Sequence, residues 1–372
     1  MRLLVFPRDP NPYQTLLYTE MQRLGVRVTY IGELIPSNTL SLLLLPLEVA
    51  ARRIAGARVV HLHWVFAFAL PGAQRLPVMR WVAQIWFLVW LRTCRTLGMR
   101  VVWTAHNVLP HQQVFANDVS ARRALVGASD LVLAHSQSTL AELSALGAVP
   151  HRSAVIQEGP IAPVVPAASL RLPGTSGGPR RFLFFGRVQE YKGVDNLLTA
   201  FAAMPDGVRA HLTVAGQCDD QRLRSLLHAL ARPSGDRVAL RLEWVPVEEV
   251  TSLVAAADVI VLPFRRVTTS GSAMLGLAHG RPLIVPDLAG LADLPGQAVL
   301  RYDGEIRALT AALTRLALVD SKTLAAMSAA ALDYASGRTW QESAEKTMAE
   351  MISLLEHSAS SEFGQLGQST VE

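Results

Sequence analysis

The sequence predicts an α/β protein of two Rossmann-like halves, each a parallel sheet wound with helices, and three observations carry that expectation. Short apolar runs alternate with helical segments along most of the 372 residues, the pattern of βαβ units with right-handed crossovers. The alternation breaks once, where Pro160 to Arg181 collects Pro160, Pro163, Pro166, Pro173, Gly174, Gly177, Gly178 and Pro179, and then restarts. Half of the residues are hydrophobic and 17% are charged, which suits two well-buried domains and argues against disorder over most of the length.

In the first half, Leu3 to Phe6 reads as a buried strand, followed by the turn Pro7-Arg8-Asp9-Pro10-Asn11-Pro12 and a helix from Tyr13 to Leu24 that stops at Gly25. Val26 to Ile31 is a second strand, Leu40 to Ile54 a helix interrupted near Pro46, and Ala57 to Leu62 a third strand. Met99 to Thr104, Leu131 to Ala134 and Ser153 to Ile156 continue the strands, with helices between. After the Pro/Gly break come strands Phe182–Phe185, His211–Ala215, Val238–Leu242, Val259–Leu262 and Leu283–Val285. Helices are expected at Val194–Met204, Gln221–Ala231, Val247–Ala256 and Ser272–His279, then at Glu305–Leu318, Ser321–Ala335 and Trp340–Leu355. The Ser-rich tail from His357 is expected to be disordered. The domain plan is therefore 1–160, a linker at 161–180, 181–338, a final helix over 339–356 and a tail over 357–372. Ligands of parallel sheets bind beyond the carboxyl ends of the strands, so a cleft lined by both halves is expected.

The formal charge of +5 is a mild excess that fits an anionic ligand or an anionic membrane face. No Lys/Arg run or aromatic-interleaved basic stripe points to nucleic acid. Cys94 and Cys218 are far apart, so neither a disulfide framework nor a metal spacing is indicated. The opening apolar run breaks off too early for a signal peptide and no stretch is long enough to span a bilayer, so a cytoplasmic setting is expected.

Thr268 to Val285 reads strand-end, small-residue turn, helix, strand. Ser270, Gly271 and Ser272 would open that helix with backbone N–H groups and hydroxyls, an arrangement that suits a phosphate and equally suits an ordinary N-cap, with Gly280 as C-cap. In Phe184-Phe185-Gly186-Arg187-Val188-Gln189-Glu190-Tyr191-Lys192-Gly193, a glycine at a strand's carboxyl end is followed by two cations on one loop. Arg187 and Lys192 can embrace a diphosphate there, and Gly186 lets the backbone approach it. In the first half, His106 and Asn107 follow a strand. His106 is a candidate general base, a hydrogen-bond partner for a ligand hydroxyl, or a turn-capping histidine. In His61-Leu62-His63-Trp64, two histidines alone are a weak metal set. His63 and Trp64 read as pocket residues or strand-end packing, and Asn11 and Tyr13 sit on the loop after the first strand. Val78 to Leu91 is apolar nearly all round, with three tryptophans and a narrow stripe of Arg80, Gln84, Arg92 and Arg95, flanked by Arg75 and Arg100. It is either a buried helix or a surface-seeking one suited to an anionic leaflet.

These motifs resemble those of glycosyltransferases with the GT-B fold, family 4 above all. Gly186-Arg187…Lys192-Gly193 is similar to that family's GR…KG signature. Ala278-His279-Gly280-Arg281-Pro282-Leu283-Ile284 is similar to its A-x-G-x-P-V-I segment. Val247-Glu248-Glu249…Ala257-Asp258-Val259…Pro263 follows the intervening pattern, and Arg338-Thr339-Trp340 resembles the start of the family's last helix, which crosses back to the N-terminal domain. The match covers about residues 181–345; before residue 160 it is one of strand order. The resemblance implies a metal-independent hexosyltransferase without a cofactor, acting on a GDP- or UDP-linked sugar. Its implied acceptor is a glycan or lipid-linked sugar of a cell-surface polysaccharide or glycolipid, reached through peripheral contact of residues 75–100 with the inner membrane face. It assigns the donor diphosphate to Gly186, Arg187, Lys192, Ser270, Gly271 and Ser272. It places His106 at the chemistry, with Asn11, Tyr13, His63, Trp64, Asn107 and Thr269 as weaker pocket candidates. The branch is divergent, because the family's paired glutamates fall at Val267 and Leu275. That departure keeps two alternatives in view, a non-catalytic GT-B partner subunit and another nucleotide-sugar enzyme such as an epimerase.

Overall fold

The computed structural model describes residues 1–73, 76–110, 112–174 and 177–368. It divides into two compact units: Met1–Glu158 together with the helix that starts at Trp340, and Gly159–Thr339.

In the first unit, β1 (Arg2–Phe6), β2 (Arg27–Tyr30), β3 (Val59–Leu62), β4 (Arg100–Thr104), β5 (Leu131–Ala134) and β6 (Ser153–Val155) form a parallel sheet. Its order is β2-β1-β3-β4-β5-β6, so the winding reverses between β1 and β3. The connecting helices are α1 (Pro12–Arg23), α2 (Asn38–Ile54), α3 (Pro77–Thr96), α4 (Asp118–Ala128) and α5 (Gln137–Ala145). Strand alternation divides the core into two layers. Leu4, Phe6, Val60 and Trp103 face a layer with Phe87 and Trp90 of α3. Leu3, Val5, Val59 and Val102 face another with Tyr13, Leu17 and Met21 of α1. Both faces being covered, β1, β4 and β5 carry unbroken apolar runs, Leu3–Phe6, Val101–Trp103 and Leu131–Ala134.

In the second unit, β7 (Arg180–Phe185), β8 (Ala210–Ala215), β9 (Val238–Arg241), β10 (Val259–Val261), β11 (Leu283–Pro286) and β12 (Val299–Tyr302) pair in the order β12-β11-β10-β7-β8-β9. This is the dinucleotide-fold order, with its reversal between β7 and β10. Helices α6 (Val194–Ala202), α7 (Gln221–Ala231), α8 (Val247–Ala256), α9 (Gly271–Ala278), α10 (Ile306–Leu318) and α11 (Ser321–Ser336) flank it. The last helix, α12 (Trp340–Gln368), joins the first unit: Ala344, Met351 and Leu354 are buried in the α1 layer. Its Ser343 hydroxyl donates to the Gln157 carbonyl at 2.7 Å.

Four sequence expectations are corrected. Strand β12 is added, its run Val299-Leu300-Arg301-Tyr302 having been hidden by the arginine. The helix after Trp340 continues to Gln368 where a disordered tail was expected; residues 369–372 lie outside the described residues. Pro160 to Arg181 is a strap packed on the second unit more than a loose linker. The Val165 N–H donates to the Ala278 carbonyl at 2.8 Å, and Arg171 donates to the Ala256 and Ala257 carbonyls and to Asp258. Thr175 and Ser176 of that stretch lie outside the described residues. Finally, α2 runs unbroken through Pro46. A proline has no N–H, so the Leu42 carbonyl one turn earlier loses its helical partner. The indole N–H of Trp86 on α3 donates to that carbonyl at 3.1 Å.

Candidate functional site

In the second unit, Gly186, Arg187, Lys192, Gly193 and Arg265 lie on the loops at the carboxyl ends of β7 and β10, where the winding reverses. The chain leaves β7 at Gly186, which has φ +114°. A side chain at Gly216, after β8, would meet the Gly186 carbonyl oxygen at 2.0 Å, and one at Gly193 would meet the Pro263 carbonyl oxygen at 2.0 Å. Close backbone approach thus requires glycine at both places and stacks the Lys192 loop on the loop after β10. Arg265 fastens those two loops. Its N–H donates to the Tyr191 carbonyl at 2.8 Å, and its guanidinium donates to the Glu190 carbonyl at 2.6 Å and to Asp195 at 2.5 Å. The N-terminus of α9 joins the group. Ser270 caps it, accepting from the Ala273 N–H at 3.1 Å, and the Ser272 hydroxyl donates to the Phe185 carbonyl at 3.5 Å. Gly186, Arg187, Lys192, Ser270, Gly271 and Ser272 are therefore brought together on one edge, with Thr269 half-buried beside them.

The two cations differ. Arg187 is 63% exposed and donates to Asp219 at 2.6 Å. The Gln217 amide donates to the same carboxylate, and with Arg187 holds it below the usual carboxylate range. Lys192 is drawn inward. Its ammonium lies 4.3 Å from the Phe264 ring centroid and 5.1 Å from that of Tyr191, and among the described residues no ion pair is recorded for it. Burial lowers its pKa to about 8, because a desolvated cation without a counter-charge is costly. Val267 and Leu275 pack against the hydrophobic core, so neither position offers a carboxylate.

The carboxyl edge of the first sheet is built from imidazole and aromatic rings. His63, His106 and His135 follow β3, β4 and β5, and His61 lies within β3. All four are at most 8% exposed. His63 Nδ1 is 2.9 Å from His106 Nε2, and His106 Nδ1 is 3.3 Å from His135 Nε2. The Tyr18 hydroxyl from α1 bridges His61 Nδ1 at 2.8 Å and His63 Nε2 at 2.5 Å. Tyr13 sets its ring edge-on to His106 at 4.6 Å, and Trp64 stacks on His106 at 4.2 Å. Burial and mutual repulsion drive His61 down to about 3 and His63 and His106 well below the ordinary imidazole value. Asn11 serves as N-cap of α1, accepting from the Tyr13 N–H at 3.0 Å, and Asn107 is half-buried beside His106.

Both ring nitrogens of His106 are engaged within this cluster, so the base role expected of it has no vacant lone pair in this arrangement. Sequence reasoning missed Tyr18 and His135. The signal was present: three buried strands each deliver a histidine one or two residues past their ends. Among the described residues no group of three or more His, Cys, Asp or Glu is placed to hold a metal ion.

A further surface lies on α2 and α3. The inner face of α3 buries Ala83, Phe87, Trp90 and Cys94, while Trp81, Val82, Ile85 and Val89 on its outer face are 44–58% exposed. On α2, Leu40, Leu43, Leu47 and Ile54 form a second exposed stripe. The expected polar stripe is partly turned inward. Gln84 donates to the Ser120 hydroxyl at 2.8 Å, and Arg80 to the Ala73 carbonyl at 2.7 Å. Arg75 lies outside the described residues. Among the described residues no helix is long and apolar enough to cross a membrane.

Comparison with known proteins agrees with this geometry. Residues 179–318 match the family glycosyl transferases group 1. That segment contains Gly186, Arg187, Lys192 and Thr269 to Ser272. The GDP-mannose:glycolipid 4-beta-D-mannosyltransferase of Xanthomonas campestris pv. campestris is 31% identical over 134 residues, 35% of this chain and 38% of that protein. A D-inositol 3-phosphate glycosyltransferase 1 of Catenulispora acidiphila is 27% identical over 297 residues, 70% of this chain and 68% of that protein. The chain thus spans well under half the length of the mannosyltransferase. Among solved structures, sucrose-phosphate synthase from Thermosynechococcus elongatus superposes with TM-score 0.73 at 18% identity, covering 96% of this chain and 99% of that one. HepE of Anabaena in complex with UDP gives 0.68 at 15%, covering 95% and 99%. These likenesses establish the two Rossmann-like domains of the GT-B fold.

Proposed function

We propose that this chain is a hexosyltransferase that moves a sugar from a nucleoside-diphosphate donor to an acceptor hydroxyl. The observation that carries the reading is Lys192: a half-buried ammonium packed on the Phe264 ring at the β7/β10 reversal, beside Arg187 and the start of α9. An arriving diphosphate would supply the missing counter-charge and draw Arg187 from Asp219. As the glycosidic bond breaks, negative charge gathers on the leaving diphosphate, and fixed cations in a partly dry site stabilise that charge most. Gly186 and the α9 amides add donors without side-chain bulk. Val267 and Leu275 leave the ribose and the sugar to hydroxyls and amides, with Thr269, Ser270 and Ser272 as candidates. Arg187 and Lys192 would neutralise the leaving diphosphate directly. UDP and GDP are the bases favoured, since the mannosyltransferase relative is named for GDP-mannose and HepE was solved with UDP.

On the acceptor side, Tyr13, His63, Trp64 and His106 supply an uncharged aromatic edge suited to sugar C–H groups, with His106 orienting more than deprotonating. The exposed apolar stripes of α2 and α3, with Arg52, Arg53, Arg92 and Arg95 toward their C-terminal ends, fit peripheral contact with an anionic leaflet, and so a lipid-linked or glycolipid acceptor. Trp81 is the outward tryptophan; Trp86 is bonded to α2 and Trp90 is fully buried.

The test is turnover of UDP- and GDP-linked hexoses by wild type, with release of nucleoside diphosphate. Turnover that disappears in Lys192→Ala with the fold retained supports the reading. The two missing glutamates favour a second reading, a GT-B partner subunit without turnover. That reading gains if wild type binds nucleoside diphosphate but never releases it from any donor. Sedimentation with anionic vesicles, weakened by salt and by Trp81→Glu, tests the membrane face.

A further inference from the structure

With neutral rings, the hydrogen bonds on the first sheet's carboxyl edge can run in one direction only, and one atom sets it. His135 Nδ1 lies 2.9 Å from the Ile156 carbonyl oxygen, which can only accept, so His135 carries its hydrogen on Nδ1. A neutral imidazole has one N–H, so His135 Nε2 accepts from His106 Nδ1–H. By the same step, His106 Nε2 accepts from His63 Nδ1–H, and His63 Nε2 accepts the Tyr18 O–H. The spent Tyr18 hydroxyl must then accept from His61 Nδ1–H, and His61 Nε2 accepts from the Thr104 hydroxyl at 2.7 Å. Every donor and every ring lone pair is used once, and no two donors meet.

We infer that Thr104, His61, Tyr18, His63, His106 and His135 form a one-way hydrogen-bond chain that locks all four imidazoles as neutral Nδ1–H tautomers. Tyr18, His61 and His135 are thereby positioning residues for His63 and His106. The chain crosses from β3 to β6, three strand spacings, or roughly 14 Å. Its surroundings oppose charge. Tyr13 from α1 and Trp340 from α12 bring ring edges, and Tyr30 from β2 lies edge-on to Tyr18 with Arg8 over its outer face. Glu158, beyond β6, is the carboxyl that interacts with His135 and Tyr13, and burial raises its pKa. The low imidazole values of His61, His63 and His106 agree with neutral rings.

The lock fixes what His106 can do. With both nitrogens bonded, its ring plane is set, and it lies within 14° of parallel to Trp64. A proton added to any ring makes that ring donate at both nitrogens. Every link on its Thr104 side must then turn round, so a charged chain has a different tautomer set from a neutral one. The role in positioning His106 rests on the transferase reading; the tautomers do not.

Long-range proton–nitrogen correlation spectra of the full chain, with its histidine rings labelled with nitrogen-15, read the tautomers directly. Four of the ten histidines are expected as neutral Nδ1–H rings at pH 7. Tyr18→Phe removes the only O–H between two rings. It should release His61 or His63 into tautomer exchange while His135, still tied to Ile156, stays fixed. The same variant should lower kcat about tenfold with donor KM unchanged, as expected for loss of about one hydrogen bond that orients the site. Any of the four found as Nε2–H or imidazolium in wild type at pH 7 overturns the lock, whether or not Tyr18→Phe folds. Wild type that shows four Nδ1–H rings yet turns over no donor leaves the lock standing and counts against the transferase reading alone.

Discussion

The two units carry the same kind of edge, the carboxyl ends of a parallel sheet at a winding reversal, and equip it in opposite ways. The second unit places an exposed Arg187 and an inward Lys192 there, with glycines that clear room for an anion. The first unit places four imidazoles and two tyrosines there, all buried, with Tyr18 and the imidazoles in one hydrogen-bond chain that ends on Thr104 and the Ile156 carbonyl. One edge holds charge in need of a partner. The other excludes charge. On the proposed transferase reading, the first property suits a leaving diphosphate and the second a neutral hydroxyl.

Acid breaks this comparison most strongly. His61, His63 and His106 have folded-state values below their unfolded value of about 6.5. As the pH falls below that value, the unfolded chain takes up protons that the folded chain refuses, so stability falls. Each ring contributes up to about 1.4 kcal/mol per pH unit, ending only at its folded value, which is about 3 for His61. Denaturant unfolding of the first unit between pH 7 and pH 5 should show this slope, reported by tryptophans, all of which except Trp244 lie in that unit. Stability that is flat across the interval would mean the rings are not held neutral.

The charged edge responds to alkali. Lys192 has a value of about 8, so it loses its proton as the pH rises through that region, and affinity for a nucleoside diphosphate should fall up to about tenfold per pH unit above it. Lys192→Arg keeps its charge at every accessible pH and should abolish the decline. Titrations of UDP from pH 7 to 9.5 read this directly; a wild-type affinity constant over that range would separate Lys192 from the ligand.

The smallest effect sharpens the account of the scaffold. Trp86→Phe leaves the Leu42 carbonyl without its donor and should cost about 1–3 kcal/mol of stability. Thermal unfolding of the variant checks it. A loss below about 0.5 kcal/mol would mean that another group, or water, serves that carbonyl.

Much of the second unit's edge was legible in the sequence because its signals are local. Gly186, Arg187 and Lys192 lie within seven residues at the end of an apolar run, and Ser270 to Ser272 open a helix. The first unit's edge was less legible because its partners come from separate strands. His63, His106 and His135 meet only once the register aligns the ends of β3, β4 and β5, and Tyr18 reaches them from a helix. Pro46 misled for a related reason. A proline is expected to interrupt a helix, and the residue that repairs the break, Trp86, lies 44 positions from Leu42. Strand β12 escaped notice because Arg301 interrupts its apolar run; that guanidinium is spent on the Leu291, Ala292 and Leu294 carbonyls.

Calorimetric titration of UDP and of GDP into wild type and into Lys192→Ala, at pH 7.5 and without added divalent metal, tests the central claim most directly. One nucleotide should bind wild type, and the alanine variant should bind it at least tenfold more weakly while unfolding at an unchanged temperature. Equal affinity of the two proteins, or no binding of either nucleotide to wild type, would contradict the account.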